Sequence, residues 1–312
     1  MSQTKLTNKE INEYLSEPIF HPTFTKAYKH IFKAFESFGR RPACCYITGD
    51  SGVGKTTLAK AVYNDIIAHT EPNPDATIIS VIMVTLKDSA LPDEVRKDIL
   101  DELGVDSSGY AGRDLKKLLK KQLKACGVQL IIFDEFQHLV RKYDRDVNRN
   151  ACNFIKNLID TTGIPVVLLG TPKGDKLFEL YDELRTRFIC AGELELMSCE
   201  TDDTFEYFSI YLDDLMRRFP LKTVDLSKEK NPYRVMLATG GNLRALEFLL
   251  SEVLATHRDS TKKITLEDYQ TAYDYVRRKE LVTKKGRIIK PFTTKTLTND
   301  LKIMDTKEYM NG

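Results

Sequence analysis

The apolar run ACCYIT (43–48) passes without a break into GDSGVGKTT (49–57), and no other feature narrows the possible folds so far. Gly49, Gly54, Lys55 and Thr56 satisfy the spacing G-x-x-x-x-G-K-[ST]. Glycines at such positions let backbone N–H groups curl around phosphate oxygens, where a Cβ would bar the approach. Beyond the loop, Leu58, Ala61, Val62 and Ile66 recur at helical spacing. Strand, glycine loop and helix in that order turn the pattern into a site for a nucleoside triphosphate. The cradle comprises Gly49, Asp50, Ser51, Gly52, Val53, Gly54, Lys55, Thr56 and Thr57. Lys55 is expected to reach the β- and γ-phosphates, and the Thr56 hydroxyl to take a place on Mg²⁺.

Three further apolar runs read as strands buried on both faces: TIISVIMVTL (77–86), VQLIIF (128–133) and PVVLLG (165–170). GELELM (192–197) alternates like an edge strand. Helical patterns separate these runs near 92–103, 113–125, 147–161 and 173–184. The alternation predicts a three-layer α/β domain with a five-stranded parallel sheet. Past residue 200 the strand signal stops. TFEYFSIYLDDLMRRF, RALEFLLSEVLATH and TLEDYQTAYDYVRRK read as helices, the last opened by a capping box of Thr265 and Asp268. The expected organisation is an N-terminal helical segment (1–40), a nucleotide-binding α/β domain (41–198), a helical domain (199–282) and a flexible basic tail (283–312).

The run LIIFDE (130–135) ends a candidate strand in two carboxylates. Ligands of parallel sheets sit at the carboxyl ends of strands, so Asp134 falls beside the loop and is expected to hold Mg²⁺ through water. Glu135 is the candidate base that polarises an attacking water. Thr171 closes another candidate strand, VVLLGT, where its side chain could orient that water. Arg185 and Arg187 in ELRTRF, and Arg244 in GGNLRALEF, are candidates to stabilise charge at the γ-phosphate.

In this order the segments GDSGVGKT, LIIFDE, LLGT, ELRTRF and GGNLRALEF resemble the Walker A, Walker B, sensor 1, arginine-finger and sensor 2 elements of AAA+ ATPases, over residues 30–280. DEFQHL, NFIKNLIDTTGIPVVLLGTP and LRTRF are similar to segments of the TniB/TnsC group of transposition regulators. The resemblance implies a P-loop AAA+ domain with a small all-helical lid, using ATP and Mg²⁺ as a regulatory ATPase. It also implies an ATP-dependent oligomer, ring or helical filament, that binds duplex DNA largely without sequence preference. Such an assembly recruits a DDE-type transposase to the target and works with a target-selection protein. Carried over by position, Thr171 is sensor 1, Arg244 is sensor 2, and Arg187 is the finger that acts in trans, with Arg185 in reserve.

The near balance of 47 Lys and Arg against 45 Asp and Glu makes no global electrostatic case for nucleic acid. DNA contact must then be local, or summed over copies of the chain. The resemblance places it in the segment 87–113, with Lys97, Ser108 and Arg113 as phosphate ligands. The lysines of 116–124 read as a solvated face opposite Leu115, Leu118, Leu119 and Leu123. In the tail, KKGRIIKPFTTK is read as a soluble end, or more sharply as a partner-docking segment anchored by Phe292. Six cysteines without a CxxC pair read as free thiols in a reducing compartment, and the absence of a long apolar run argues against a membrane span. A cytoplasmic protein is expected. The alternative function is a signalling or defence switch that senses a protein partner, although such proteins usually carry large repeat sensor domains. A small-molecule kinase has no general need for the pair Asp134–Glu135.

Overall fold

The computed structural model describes residues 5–71, 77–88, 90–141, 144–277, 281–282 and 288–294. In chain order its elements are α1 (Asn8–Ser16), α2 (Pro22–Glu36), β1 (Cys45–Gly49), α3 (Lys55–Ala68), β2 (Val81–Thr85), α4 (Pro92–Glu102), α5 (Gly112–Ala125) and β3 (Leu130–Asp134). Then follow α6 (Arg145–Thr162), β4 (Val166–Gly170), α7 (Asp175–Leu180), α8 (Asp182–Arg185), β5 (Cys190–Leu194), α9 (Asp202–Arg217), α10 (Asn231–Thr239), α11 (Leu243–His257) and α12 (Leu266–Val276). They fall into two compact units, one of residues 22–195 and one of residues 1–21 with 196–312.

The first unit is built on a five-stranded, all-parallel sheet in the order β2-β3-β4-β1-β5. Strand side chains alternate between faces, so Tyr46, Ile82, Val84, Ile131, Phe133, Val166 and Leu168 join the leucines and isoleucines of α4, α5 and α6 in one core. The opposite face is covered by α2, which packs on β1, β4 and β5, and by α3, which packs on β1 to β4. Burial on both sides explains why β4, and β3 as far as Phe133, are apolar. The edge strand β5 alternates in exposure, as its sequence does. On α5 the leucines at 115, 119 and 123 are buried, while the lysines face water.

The second unit is helical. Its core joins Leu6, Ile11 and Tyr14 of the N-terminal segment to Phe208, Leu212, Leu246, Leu250, Val253 and Tyr269. The N-terminal segment 1–40 therefore does not stand apart. The buried face of α1 belongs to the helical unit, whereas α2 belongs to the α/β unit. Helix α10 lies in a stretch that apolar periodicity does not mark. Pro232 opens its first turn and Gly240, at φ 60°, closes it.

The tail also departs from expectation. Within 283–312, residues 288–294 fold back on the helical unit, and Ile289 and Phe292 are buried. The Phe292 ring lies 5.6 Å from that of Tyr269, and its N–H donates to Gln270 Oε1 at 3.0 Å. Arg234 donates to the carbonyls of Pro291, Phe292 and Thr294 at 2.9–3.1 Å. Phe292 is thus an anchor within its own chain. The remaining tail residues lie outside the described ones.

Candidate nucleotide site

The site is assembled at the carboxyl ends of β1, β3 and β4. Because β4 lies between β1 and β3, Thr171 falls between the glycine loop and Asp134. Gly49 ends β1 under tight constraint: a Cβ there would sit 2.3 Å from the Leu194 carbonyl oxygen. Gly52 and Gly54 take φ of 83° and 96°, in the left-handed region that glycine occupies without strain. Gly54 is the N-cap of α3 and gives it no side-chain cap, unlike the residues that cap α6, α9, α11 and α12. The first turn of α3 thus takes no cap from the side chain of its N-cap residue, and its N–H groups together with the glycine loop suit a phosphate chain.

Lys55 is buried, and its ammonium donates to the carbonyls of Gly49 and Asp50 at 2.8 Å each. The Thr56 hydroxyl donates to Asp134 Oδ2 at 2.6 Å, and Asp134 is 1% exposed. A hydroxyl and a buried carboxylate in contact beside the loop form an all-oxygen donor pair suited to Mg²⁺, which is bound by few protein oxygens and keeps several waters. No group of three or more His, Cys, Asp and Glu among the described residues could hold a metal.

Glu135 follows with φ 57° and ψ 39°, a left-handed turn that swings the chain out of β3 into the 3-10 turn Phe136–Leu139. Its N–H donates to Asp134 Oδ1 at 2.9 Å. Its carboxylate accepts from Gln137 Nε2, and the other end of the same amide, Oε1, accepts the Thr171 N–H at 2.9 Å. The Thr171 hydroxyl is buried and has no hydrogen-bond partner among the described residues, which leaves its capacity for a water or a phosphate oxygen. Gln137 lies in the segment DEFQHL, but the motifs give it no role in the site. The amide two positions beyond the carboxylate pair was the available signal, but its partner, Thr171, comes from another strand.

Within the α/β unit, Arg185 and Arg187 lie away from the loop. Arg187 binds Asp160 of α6 through two parallel contacts, Nε to Oδ1 at 2.9 Å and Nη2 to Oδ2 at 2.8 Å, and donates to the Glu183 carbonyl at 2.6 Å. Its own carbonyl accepts the N–H of Cys44, so it sits at the start of β1, opposite the loop. Arg185 is exposed and meets the exposed Asp182 at 3.1 Å. Arg244 is exposed in the first turn of α11, in the helical unit. Lys97, Ser108 and Arg113 are exposed, and Ser108 gives both its amide and its hydroxyl to Asp106.

A family model described as bacterial TniB protein matches residues 19–193, more than half of the chain. The chain belongs to the TniB family. That match takes in the loop, the carboxylate pair, Gln137, Thr171 and both arginines of ELRTRF. No curated protein matches the chain. In fold this TniB-family chain is similar to the Orc1 protein of Aeropyrum pernix solved in complex with DNA, at a TM-score of 0.60 and 15% identity over 85% of this chain and 69% of that one. The Orc2 protein of the same organism, in ADPNP–ADP complexes, gives 0.59 and 14% over 84% and 71%. Cdc6p of Pyrobaculum aerophilum gives 0.60 and 16% over 86% and 71%. The shared architecture is the P-loop AAA+ fold with a helical region after it. Among the described residues, no helix is long and apolar enough to cross a membrane.

Proposed function

We propose that the chain is an ATP-dependent, DNA-binding AAA+ regulator of transposition, which assembles on target DNA and recruits a DDE transposase. The observation that carries the reading is the contact of Thr56 with Asp134 at 2.6 Å, with Glu135 and Thr171 held at the neighbouring strand ends by one amide. A loop that only bound phosphate would have no use for the second carboxylate or for a hydroxyl left open between the strands. In this reading Lys55 neutralises the β- and γ-phosphates and Glu135 takes a proton from the attacking water. Thr171 orients that water. Mg²⁺ held by Thr56 and Asp134 would neutralise charge on the same phosphate oxygens. Arg187 serves the site of a neighbouring subunit, with Arg185 beside it in reserve, and Arg244 responds to nucleotide from the helical unit.

Assembly would be a ring or a helical filament, since both arise from one head-to-tail interface. The similar Orc1 protein was solved with DNA and the similar Orc2 with nucleotides, which supports both ligands here. Since Asp106 occupies Ser108, Lys97 and Arg113 are the stronger of the three expected DNA contacts. Weak contacts of this kind suffice when many subunits add, and they give a steep dependence on salt. A target-selection protein is a further partner, and the cytoplasm the compartment. Electron microscopy of the protein with a non-hydrolysable ATP analogue, with and without duplex DNA, tests the reading. A DNA-threaded ring or helix is expected, and a Glu135→Gln variant with ATP should trap the same assembly. A monomer indifferent to nucleotide, without DNA affinity at low salt, would overturn it.

A further inference from the structure

We infer that Gln137 is a positioning residue for hydrolysis, fastening Glu135 to the end of β4 so that base and Thr171 move as one. The inference rests on the ATPase reading above. A carboxylate oxygen can only accept and a backbone N–H can only donate, so the Gln137 amide satisfies Glu135 and Thr171 in one orientation alone. The surroundings are shaped for that amide. Gly170 precedes Thr171, and a Cβ there would lie 2.8 Å from Gln137 Oε1. Phe136, fully buried, pins the turn between the two residues. Glu135 makes this contact from left-handed backbone, at φ 57°. A non-glycine residue held in that region costs about 1 kcal/mol or more and persists where its surroundings over-determine it.

A carboxylate that must meet one water has to be held in one direction, and misplacement by about 1 Å can cost roughly a hundredfold in rate. Glu135 stands on an irregular turn where no regular ladder fixes it. Besides the amide, His138 faces the Glu135 carboxylate among the described residues: its Nε2 lies 4.0 Å from the same Oε2 and its Nδ1 lies 3.3 Å from Asp88, while Asp134 accepts the Glu135 backbone N–H. The amide is therefore the short, directional contact, and it ties the base to the strand that carries the open Thr171 hydroxyl.

Two substitutions separate holding the base from bracing the strand. Gln137→Met keeps the length and loses both hydrogen bonds. Gln137→Glu keeps an acceptor for the Thr171 N–H but sets a second carboxylate against Glu135. Each is measured in full-length protein for turnover of ATP in the presence of DNA, for direct binding of a fluorescent ATP analogue, and for its melting temperature. If Gln137 positions the base, both variants lose about tenfold or more in kcat, the scale of one hydrogen bond to a charged group. Analogue affinity should stay within about twofold, because neither bond touches the glycine loop. Near-normal turnover by Gln137→Glu would assign the residue to bracing β4 and sink the proposal. So would an unchanged kcat in Gln137→Met, or a loss that appears in analogue binding instead. An unaltered chain that binds ATP and never hydrolyses it would instead remove the ATPase reading and this inference with it.

Discussion

At the scale of single residues, Gly49 answers to two demands at once. The motif explains it by the approach of phosphate, and the packing adds the Leu194 carbonyl, 2.3 Å from where a Cβ would lie. The obstacle is backbone of the adjacent strand, which cannot swing aside as a side chain would. Gly49→Ala should therefore destabilise the α/β unit by about 1–3 kcal/mol, the ordinary scale of overpacking, and it should abolish binding of an ATP analogue. A thermal melt and a titration read the two effects. Binding and stability both at the level of the unaltered chain would show that β5 yields. The residues legible from sequence, Gly49, Lys55, Thr56 and Asp134, are those that stand in motifs confined to one short stretch of chain. Gln137 and Asp160 were not legible, because their meaning comes from partners 34 and 27 residues away.

Strands are legible for a similar reason. A strand buried on both faces is largely apolar, so β3 and β4 could be seen without any long-range information. The buried face of helix α10 is partly polar (Asn231, Pro232, Val235 and Thr239), and the segment 288–294 is held by Ile289, Phe292 and the hydrogen bonds of Arg234, so neither shows an apolar period. Phe292 is 1% exposed against Tyr269. Phe292→Ala should cost the helical unit about 3–5 kcal/mol, lowering its melting temperature. A change of less than about 1 kcal/mol would mean that the segment is dispensable to that core. His21, just after α1, offers a second handle on the same unit. It is 7% exposed, bonds the Tyr207 hydroxyl, and packs edge-on against Tyr207 and Tyr211. Burial lowers its pKa from 6.5 to about 4. The folded state then binds the proton less readily than the unfolded state, so this contribution is intact above pH 6.5 and declines as pH falls towards 4. Denaturation midpoints should fall across that window by an amount on the order of 2–3 kcal/mol at most, and His21→Phe should flatten the decline. An equally steep decline in the variant would assign it to other groups.

The whole molecule poses the question of where a complete site exists. The loop follows Gly49 at the carboxyl end of β1, while the Arg187 carbonyl is bonded to Cys44 just before its start. Five residues of strand separate the two ends by about 13 Å, and Asp160 holds the guanidinium at the far end. Arg187 therefore lies at the end of β1 away from its own glycine loop, which fits the proposal that it serves the site of a neighbouring subunit. Mixing two inactive variants tests this. Glu135→Gln removes the base and keeps the arginine, whereas Arg187→Ala does the reverse. Each alone should lose most ATP turnover, because every interface lacks one part. In an equal mixture, about a quarter of head-to-tail interfaces pair an intact Glu135 with an intact Arg187, so turnover should return in that proportion. Rescue that vanishes on dilution below the assembly concentration would tie the recovered sites to the interface. A mixture no more active than its parts would place the complete site within one chain, and an Arg187→Ala variant active by itself would move the role to Arg185.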